Sequence, residues 1–424
     1  MAIEKQPSCD DVFEPELLPV SVAVERMAAQ IYPVTDVVTL PIREALGRVV
    51  AGSIVSPIDV PAYTNSAMDG FAICSEDLPA SGEKTLQVLG TAWAGRPLEV
   101  DVKPGQAVRI MTGGMMPDGT DTVVIQEHVA LLGQDAIRID GSTSVGKNVR
   151  QAGEDITSGE SIINDGTLID PAHIGLMASL GIDQVSVYRK VKVAFFSTGD
   201  ELRPLESHAG RTLGPGELFD SNRHTLYSML ERLGVETIDL GVVADTPEAT
   251  REALKTGASQ ADLIISSGGV SAGQADFVSS TLAELGEVTF WKLAMRPGRP
   301  LACGKVGNAH FFGLPGNPVA VMVAFYEFVQ PSIKRMQGCA QLSAPRFPAR
   351  CESKLRKSPG RVEYQRGIYA IDTDGVTVVR STGKQGAGRL SSMCLANCLI
   401  VIAAEKDGVE PGDIVEIQPF HGLV

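Results

Sequence analysis

Residues 264–276 read IISSGGVSAGQAD, an apolar run that changes to small residues and closes on the carboxylate of Asp276. The run from Leu263 to Ile265 predicts the end of a buried strand. Because the Ser/Gly turn after it lacks bulky side chains, its backbone N–H groups can approach an anion, as in phosphate-binding loops. Asp276 would then hold a cation or a polar group of the same ligand. A Gly-Gly turn alone is more often a tight connection, so this hypothesis depends on other segments.

A second predicted strand supports the hypothesis. Residues 191–202 read VKVAFFSTGDEL, an apolar strand followed by a Ser-Thr-Gly turn and the adjacent carboxylates Asp200 and Glu201. In an open α/β sheet, ligands lie beyond the carboxyl ends of the strands. Two such loops from one sheet are therefore expected to face one pocket.

Two further turns add positive charge and backbone donors. Residues 291–300, WKLAMRPGRP, gather Lys292, Arg296 and Arg299 around a Pro-Gly turn, although a solvated basic turn is the alternative interpretation. Residues 314–318, LPGNP, precede an apolar helical run at 319–329. The helix start at Gly316 and Asn317 offers N–H groups that attract anions.

Composition limits the class of ligand. The chain has 424 residues, a formal net charge of −14 and only 5% aromatic residues. Its length favours about two to four domains, and its acidity argues against nucleic-acid binding, which needs a broad basic face. A cation cluster in an acidic protein instead indicates a focused site for a small anion.

Cysteine usage and hydropathy bear on the compartment. The chain has seven cysteines, an odd count without a Cys-x-x-Cys pair, so reduced thiols are favoured. Cys394 and Cys398 lack a nearby histidine or second pair to complete a zinc site. No signal peptide or membrane-length apolar run is visible, which predicts a cytoplasmic protein without a membrane partner.

Periodicity predicts several domains. Residues 19–31 show helical spacing with a face of Val20, Val24, Met27 and Ile31, which we expect to form a subunit contact because no core for it is evident. Short alternating runs over residues 57–150 predict a β-rich domain. Residues 191–338 alternate apolar strands with helical patterns, which is typical of a three-layer α/β sheet with parallel strands. Short strands over 346–424 predict a β-barrel or sandwich.

Carboxylates after the predicted strands suggest a cation site. Asp200, Glu201, Asp245 and Asp276 all follow apolar strands closely. Mg²⁺ prefers oxygen ligands and is often shared with substrate phosphates, so it is the predicted metal. Helix capping is an equal alternative for Asp200, Glu201 and Asp245, the last of which precedes Thr246-Pro247.

The cations suit a small oxyanion. A dianion that offers only acceptors needs guanidinium or N–H donors. Arg296, Arg299 and the turn at 315–318 supply both. Arg361 and Arg366 could add more, although surface arginines of a β domain are an equal alternative for them.

The order and spacing of several motifs carry a resemblance that runs almost end to end. They are residues 61–72 (PAYTNSAMDGFA), 109–113 (RIMTG), 153–155 (GED), 197–201 (STGDE), 220–222 (DSN), 314–318 (LPGNP) and 360–367 (GRVEYQRG). With these motifs the chain resembles the molybdopterin molybdenumtransferase family, which includes the E domain of gephyrin. The resemblance implies four domains: 1–57 with 151–189 as a discontinuous, elongated N-terminal domain, 58–150 as an inserted β-rich domain, 190–345 as an α/β molybdopterin-binding domain and 346–424 as a C-terminal β-barrel.

The resemblance also implies a reaction, insertion of molybdate into adenylylated molybdopterin with release of AMP. It further implies homodimerisation, a molybdopterin adenylyltransferase partner and a Mg²⁺ cofactor. The implied catalytic residues are Asp69, Thr112, Asp155, Glu201, Lys292 and Arg296. The implied substrate-binding residues are Arg150, Thr198, Ser267, Gly268, Gly269, Arg299, Pro315, Pro318, Arg361 and Arg366. The implied metal ligands are Asp200, Glu201, Asp245 and Asp276. In the family Asp69, Thr112, Arg150 and Asp155 face a cleft against a second subunit, whereas a plain turn carboxylate is the alternative for Asp69.

The chain departs from the family pattern in two places. Arg296 and Arg299 stand where relatives commonly have lysines, which keeps the charge but alters the donor geometry. Residues 386–388 read Gly-Ala-Gly instead of the usual Gly-Ser-Gly, and Ser391 or Ser392 is a candidate replacement for the lost hydroxyl. A gephyrin-like scaffold and a molybdopterin adenylyltransferase remain alternative functions. A scaffold would not require intact charged loops, and an adenylyltransferase needs only the α/β domain.

Overall fold

The computed structural model describes residues 17–206, 210, 212–269 and 277–420. Residues 270–276, and with them the predicted metal ligand Asp276, lie outside the described part. Within that part, no helix has the length and apolar character needed to cross a membrane.

The front half of the chain forms a β-rich domain held between two pieces of another domain. Before it come α1 (Val20–Ala28), β1 (Val37–Pro41) and β2 (Ile54–Val55). Its strands are β3 (Asn65–Ser66), β4 (Gly70–Ile73), β5 (Glu83–Ala92), β6 (Gln106–Ile110), β7 (Thr122–Ile125), β8 (Val129–Leu131), β9 (Ala136–Asp140) and β10 (Val149–Arg150). After it come β11 (Ser161–Ile163), α2 (Pro171–Ser179) and β12 (Gln184–Tyr188).

Strand pairing explains this arrangement. β1 pairs with β12 and β2 with β11, so the chain leaves and re-enters the N-terminal domain side by side. Between these points a six-stranded sheet forms in the order β7-β4-β6-β5-β9-β8. Phe71 and Ile73 pack on one face of that sheet and Ala72 on the other, as the two-residue period of a strand requires.

A six-stranded sheet with helices on both faces follows. Its chain order is β13 (Lys192–Thr198), β14 (Leu202–Arg203), β15 (Leu218–Phe219), α3 (Ser221–Arg232), β16 (Glu236–Val243), α4 (Pro247–Gln260), β17 (Leu263–Ser267), α5 (Phe277–Leu285), β18 (Gly286–Lys292), β19 (Met295–Arg296), β20 (Pro300–Val306), β21 (Ala309–Leu314), α6 (Pro318–Ala324), a π-helix (Phe325–Val329) and α7 (Gln330–Met336). The sheet order is β16-β13-β17-β21-β20-β18. Val193 and Phe195 pack with α3 on one face, while Ala194 and Phe196 pack with α4 on the other.

The last domain is a closed barrel. It contains β22 (Phe347–Cys351), β23 (Leu355–Arg356), β24 (Val362–Ile371), β25 (Thr377–Ser381), α8 (Ser391–Leu395), β26 (Cys398–Ile402), β27 (Gly408–Val409) and β28 (Ile414–Pro419). Strands β24, β25, β22, β28 and β26 pair in a ring, because β26 also pairs with β24. β24 additionally pairs with β19 of the α/β domain, which joins the two domains.

The predicted fold class is confirmed, with two corrections. Four strands of the α/β sheet are parallel, but β20 and β18 run antiparallel to their neighbours, so the prediction of a parallel sheet was wrong at that edge. The expectation that α1 lacks a core in its own chain was also wrong. Met27 and Ile31 are buried in the main hydrophobic cluster, with Val20 and Val24 packed against it. The domain bounds assigned from the sequence stay predictions.

Candidate active site

Three parallel strands end side by side beneath the site. Ser197 lies opposite Ser267, and Ser267 lies opposite Leu314, so the loops after β13, β17 and β21 start at one edge. The Gly268 N–H donates to the Leu314 carbonyl over 3.0 Å, which fixes two of these loops to each other. A Cβ on Gly268 would lie 2.6 Å from the Thr198 carbonyl, and Gly268 has φ +94°, so this turn requires glycine.

These loops open into a cavity of about 760 Å³ that also reaches the C-terminal barrel. On one side lie Thr198, Glu201, Asp245, Gly268 and Gly269. On the other lie the turns at 295–300 and 315–317 together with Arg361, Glu363, Arg366 and residues 385–387. The cavity thus joins an acidic, glycine-rich side to an arginine-rich side. We call these the nucleotide side and the oxyanion side, after the ligands that the resemblance implies for them.

A larger cavity of about 1420 Å³ lies between α1, the π-helix and the barrel. Glu327, Arg346 and Tyr364 are among its lining residues, and the Tyr364 hydroxyl donates to Glu327 over 2.9 Å. None of the site residues predicted from the sequence lines it. The smaller cavity is therefore the candidate active site.

Carboxylates on the nucleotide side are held by the strand-end loops. Asp245 accepts a hydrogen bond from the Thr198 hydroxyl. Capping does not explain its place, because Thr246 is the N-cap of α4 and accepts from the Ala249 N–H over 3.2 Å. Asp200 and Glu201 do not cap a helix either, since β14 follows them. The capping alternatives were wrong for all three.

The donor chemistry on this side fits Mg²⁺. Glu201 and Asp245 supply carboxylate oxygens to the cavity next to the glycine loop. Asp200 is exposed and does not line the cavity, although its Oδ1 lies 3.4 Å from the Asp245 backbone nitrogen. Among the residues that the structure describes, no cluster of three or more His, Cys, Asp or Glu side chains could hold a metal. Of the predicted ligands in the described part, Glu201 and Asp245 line the cavity and Asp200 does not, and the metal site stays a prediction.

Arg296, Arg299, Arg361 and Arg366 all line the oxyanion side. Arg366 is 1% exposed, and burial lowers the pKa of its guanidinium to about 10. The Arg366 side chain donates to the Ser392 hydroxyl over 3.1 Å and to the Gly386 carbonyl over 3.2 Å. These contacts fix one cation at the cavity wall, so the surface-arginine alternative was wrong for Arg366.

Ser392 does not replace the hydroxyl missing at Ala387. Ala387 lines the cavity, whereas neither Ser391 nor Ser392 does. The Ser392 hydroxyl is engaged with Arg366 and donates to the Arg389 carbonyl over 2.7 Å. The serine therefore orients a guanidinium.

Three predicted residues are near the cavity without lining it. Lys292 ends β18 and is exposed, Ser267 is buried beneath the glycine turn, and Pro318 is the first residue of α6. Pro315 is buried and lines the cavity, together with Gly316 and Asn317.

Residues predicted in the front domain form a separate group. The Asp69 carboxylate accepts from the Thr112 N–H over 2.7 Å and from the Thr112 hydroxyl over 2.8 Å. These hydrogen bonds lower the pKa of Asp69 and join its turn to the one at Thr112. Arg150 lies on β10 and Asp155 donates its N–H to the Val60 carbonyl over 3.0 Å. None of these four residues lines the cavity of the same chain.

Sequence comparison identifies the family. The chain is 42% identical over 409 residues to the molybdopterin molybdenumtransferase of Haemophilus influenzae, covering 96% of this chain and 100% of that protein. This chain belongs to the molybdopterin molybdenumtransferase family. Family profiles match residues 18–181 as "MoeA N-terminal region (domain I and II)", 194–335 as "Probable molybdopterin binding domain" and 348–420 as "MoeA C-terminal region (domain IV)".

Other relatives agree. A molybdopterin molybdenumtransferase from a Nostoc species is 35% identical over 88% of this chain and 87% of its own length. Gephyrin of Dictyostelium discoideum is 31% identical over 88% of this chain, which spans only 58% of that protein. The crystal structure of a molybdopterin biosynthesis protein from Pyrococcus horikoshii superposes with a TM-score of 0.84 at 28% identity, covering 95% and 100% of the two chains.

Two residues near the cavity were not predicted from the sequence. Glu363 lines the cavity and is only 8% exposed. Its motif, Gly360 to Gly367, was recognised for its arginines, and the carboxylate between them was the available signal. Asn222 lies beneath the cavity within the recognised Asp-Ser-Asn motif, to which the sequence alone assigned no contact.

Proposed function

We propose that this protein inserts molybdenum from molybdate into adenylylated molybdopterin and releases AMP. The observation that carries the proposal is the single cavity in which a glycine-rich, phosphate-type turn faces four arginines. Such a cavity suits a substrate with a phosphate at one end that must meet a small oxyanion at the other.

On the nucleotide side, we propose that Gly268 and Gly269 bind the adenylyl phosphates through their backbone, with Ser267 and Thr198 supporting the turn. Glu201 and Asp245 would hold Mg²⁺, assisted by Asp200 and by Asp276, which lies outside the described residues. When bound, Mg²⁺ would offset phosphate charge and favour departure of AMP. The Thr198 hydroxyl orients the Asp245 carboxylate for this role.

On the oxyanion side, Arg296 and Arg299 would bind molybdate, with Arg361 and Arg366 completing the cluster. Guanidinium groups give paired donors to a tetrahedral dianion. Burial strengthens the contact of Arg366, which is the buried member of the cluster. Lys292 and the prolines Pro315 and Pro318 would shape the pterin end. Arg366 is fixed before the anion arrives, which avoids reorganisation on binding.

We further propose a homodimer in which Asp69, Thr112, Arg150 and Asp155 of the partner subunit complete the site. Exposed apolar side chains near Asp69, at Tyr63, Met68 and Met115, suit a surface covered by a second copy. A molybdopterin adenylyltransferase is the proposed donor of substrate. The six free cysteines of the described part are compatible with a reducing cytoplasm.

AMP release from adenylylated molybdopterin, measured with and without molybdate and Mg²⁺, tests the proposal. Arg299→Ala should raise the molybdate concentration for half-maximal insertion by about tenfold, because one charge-assisted contact is lost. AMP affinity should change little. Asp372→Asn, an exchange in the barrel away from the cavity, is the control. Unchanged molybdate dependence with collapsed substrate binding would place the oxyanion near Arg361 and Arg366 instead.

A further inference from the structure

The Asp220-Ser221-Asn222 motif has no part in the proposed reaction, yet it lies beneath the cavity. Asp220 is the N-cap of α3 and accepts from the Arg223 N–H over 3.1 Å. The same carboxylate accepts from the hydroxyl of Ser197 over 3.2 Å, near the end of β13. The first turn of α3 is thereby fixed to the sheet edge from which the cavity loops start.

Asn222, on that first turn, bridges two of those loops. Its side-chain Nδ2 donates to the Ser267 hydroxyl over 2.8 Å and to the Gly316 carbonyl over 2.7 Å. Ser267 directly precedes the glycine turn of the nucleotide side, and Gly316 lies in the turn of the oxyanion side. Both N–H bonds of one amide nitrogen are therefore used to join the two sides.

The amide oxygen of Asn222 takes no part in this bridge. Asn222 is 8% exposed, and its Oδ1 is buried without a hydrogen-bond partner among the described residues. Leaving a buried acceptor unpaired is unfavourable. Aspartate would supply no donors and serine only one, so asparagine is suited to the double donation.

We propose that Asn222 is a positioning residue that sets the spacing between the nucleotide side and the oxyanion side, and so determines how well a substrate that spans both is held. The inference rests on the proposed function. It predicts a pattern that a general loss of stability would not produce. Ligands that touch one side should bind normally, while the spanning ligand should not.

The test uses Asn222→Asp, which keeps the shape but removes both donors, and Asn222→Ser, which carries no buried charge. Calorimetry would measure AMP, molybdate and adenylylated molybdopterin separately on the full chain. We expect AMP and molybdate affinities to stay within about threefold, adenylylated molybdopterin to bind about tenfold more weakly and turnover to fall by about 10–100-fold, the range for small misplacements. Thr225→Ala, which removes a hydrogen bond to Ser221 in the same helix, is the matched control.

Each possible outcome either supports the inference about Asn222 or overturns it. If both variants lose all three ligands alike, or fail to fold, Asn222 is only structural and the inference is wrong. Unchanged binding of all three ligands also overturns it. A wild-type protein that neither binds adenylylated molybdopterin nor releases AMP overturns the proposed function and the inference with it, whereas an active wild type separates the two.

Discussion

At the scale of single residues, Glu363 poses the sharpest question, because a buried carboxylate lines a cavity proposed for a dianion. Arg296 lies opposite Glu363 in the strand pairing, and Gln365 donates to the Glu363 carboxylate over 3.2 Å. Burial raises the pKa of Glu363, although Arg296 partly opposes this shift. The carboxylate thus offsets part of the positive charge of the arginines.

Glu363→Gln should therefore bind molybdate more tightly, by about three- to tenfold, because one nearby negative charge is removed. In the wild type, protonation of Glu363 should have the same effect. As the pH falls from neutral towards the raised pKa of Glu363, binding should tighten, and the glutamine variant should lack this change. Calorimetric titration of both proteins checks this, with sulfate as a dianion that does not itself protonate in this range. Equal pH profiles would contradict it.

The sequence predicted the convergence of Thr198, Asp245 and Gly268, since parallel strand ends meet at one edge. It did not predict the contacts of Glu363 or Asn222. Those contacts depend on β24 pairing with β19 and on α3 packing beneath two loops, which are long-range events without a local signal. The roles of the predicted site residues stay predictions.

At the scale of helices and strands, the segments with the strongest periodicity were predicted, and the features that were missed depend on packing. The apolar run at 319–329 predicted one helix, but the structure has α6 followed by a π-helix, with α7 after them. Glu327 on the π-helix binds Arg346 over 2.8 Å and Tyr364 over 2.9 Å, both from the last domain. A single π-helical turn interrupts the α-helix here, and helical period alone does not reveal such a turn.

An ion pair between Arg189 and Asp262 links the N-terminal strands to the α/β sheet. Arg189 donates to both oxygens of Asp262, over 2.7 and 2.9 Å, and Asp262 also accepts from the Lys192 N–H over 2.8 Å. Burial alone would raise the pKa of Asp262, but the hydrogen bonds from Arg189 and Lys192 outweigh burial and lower it.

Asp262→Asn should thus cost about 1.5–3 kcal/mol of stability near neutral pH. Because the pKa of Asp262 is lowered, its ionised carboxylate stabilises the folded protein above the unfolded pKa of 3.8. This contribution is lost as the pH falls through the folded pKa, so the difference in stability between wild type and variant should shrink there. Thermal unfolding against pH measures this. Asp36→Asn is the control, because Asp36 also binds Arg189 over 2.7 Å but its side chain is 69% exposed, so the loss should be smaller. Equal losses of stability in the two variants would contradict the larger contribution assigned to Asp262.

At the scale of the whole molecule, two groups of predicted site residues lie apart in one chain. The strand-end group lines the cavity, and the Asp69–Thr112 pair does not. Helical spacing suggested a dimer contact through α1, but burial of Met27 and Ile31 within the chain removes that argument. The separation of the two groups is the better argument for a dimer.

Mixing two impaired variants tests whether two subunits build each site. At molybdate concentrations well below half-saturation, Asp69→Asn and Arg299→Ala should each retain at most about a tenth of the wild-type activity alone, because each damages both sites of a homodimer. In a co-expressed mixture, half of the molecules would be mixed dimers, and each would have one site with both defects and one intact site. Activity should then recover to about a quarter of the wild-type level. Differently tagged copies allow the mixed dimer to be purified, and light scattering gives its mass. If the purified mixed species showed no more activity than its parents, or if only monomers were found, Asp69 would have to act within its own chain or not at all.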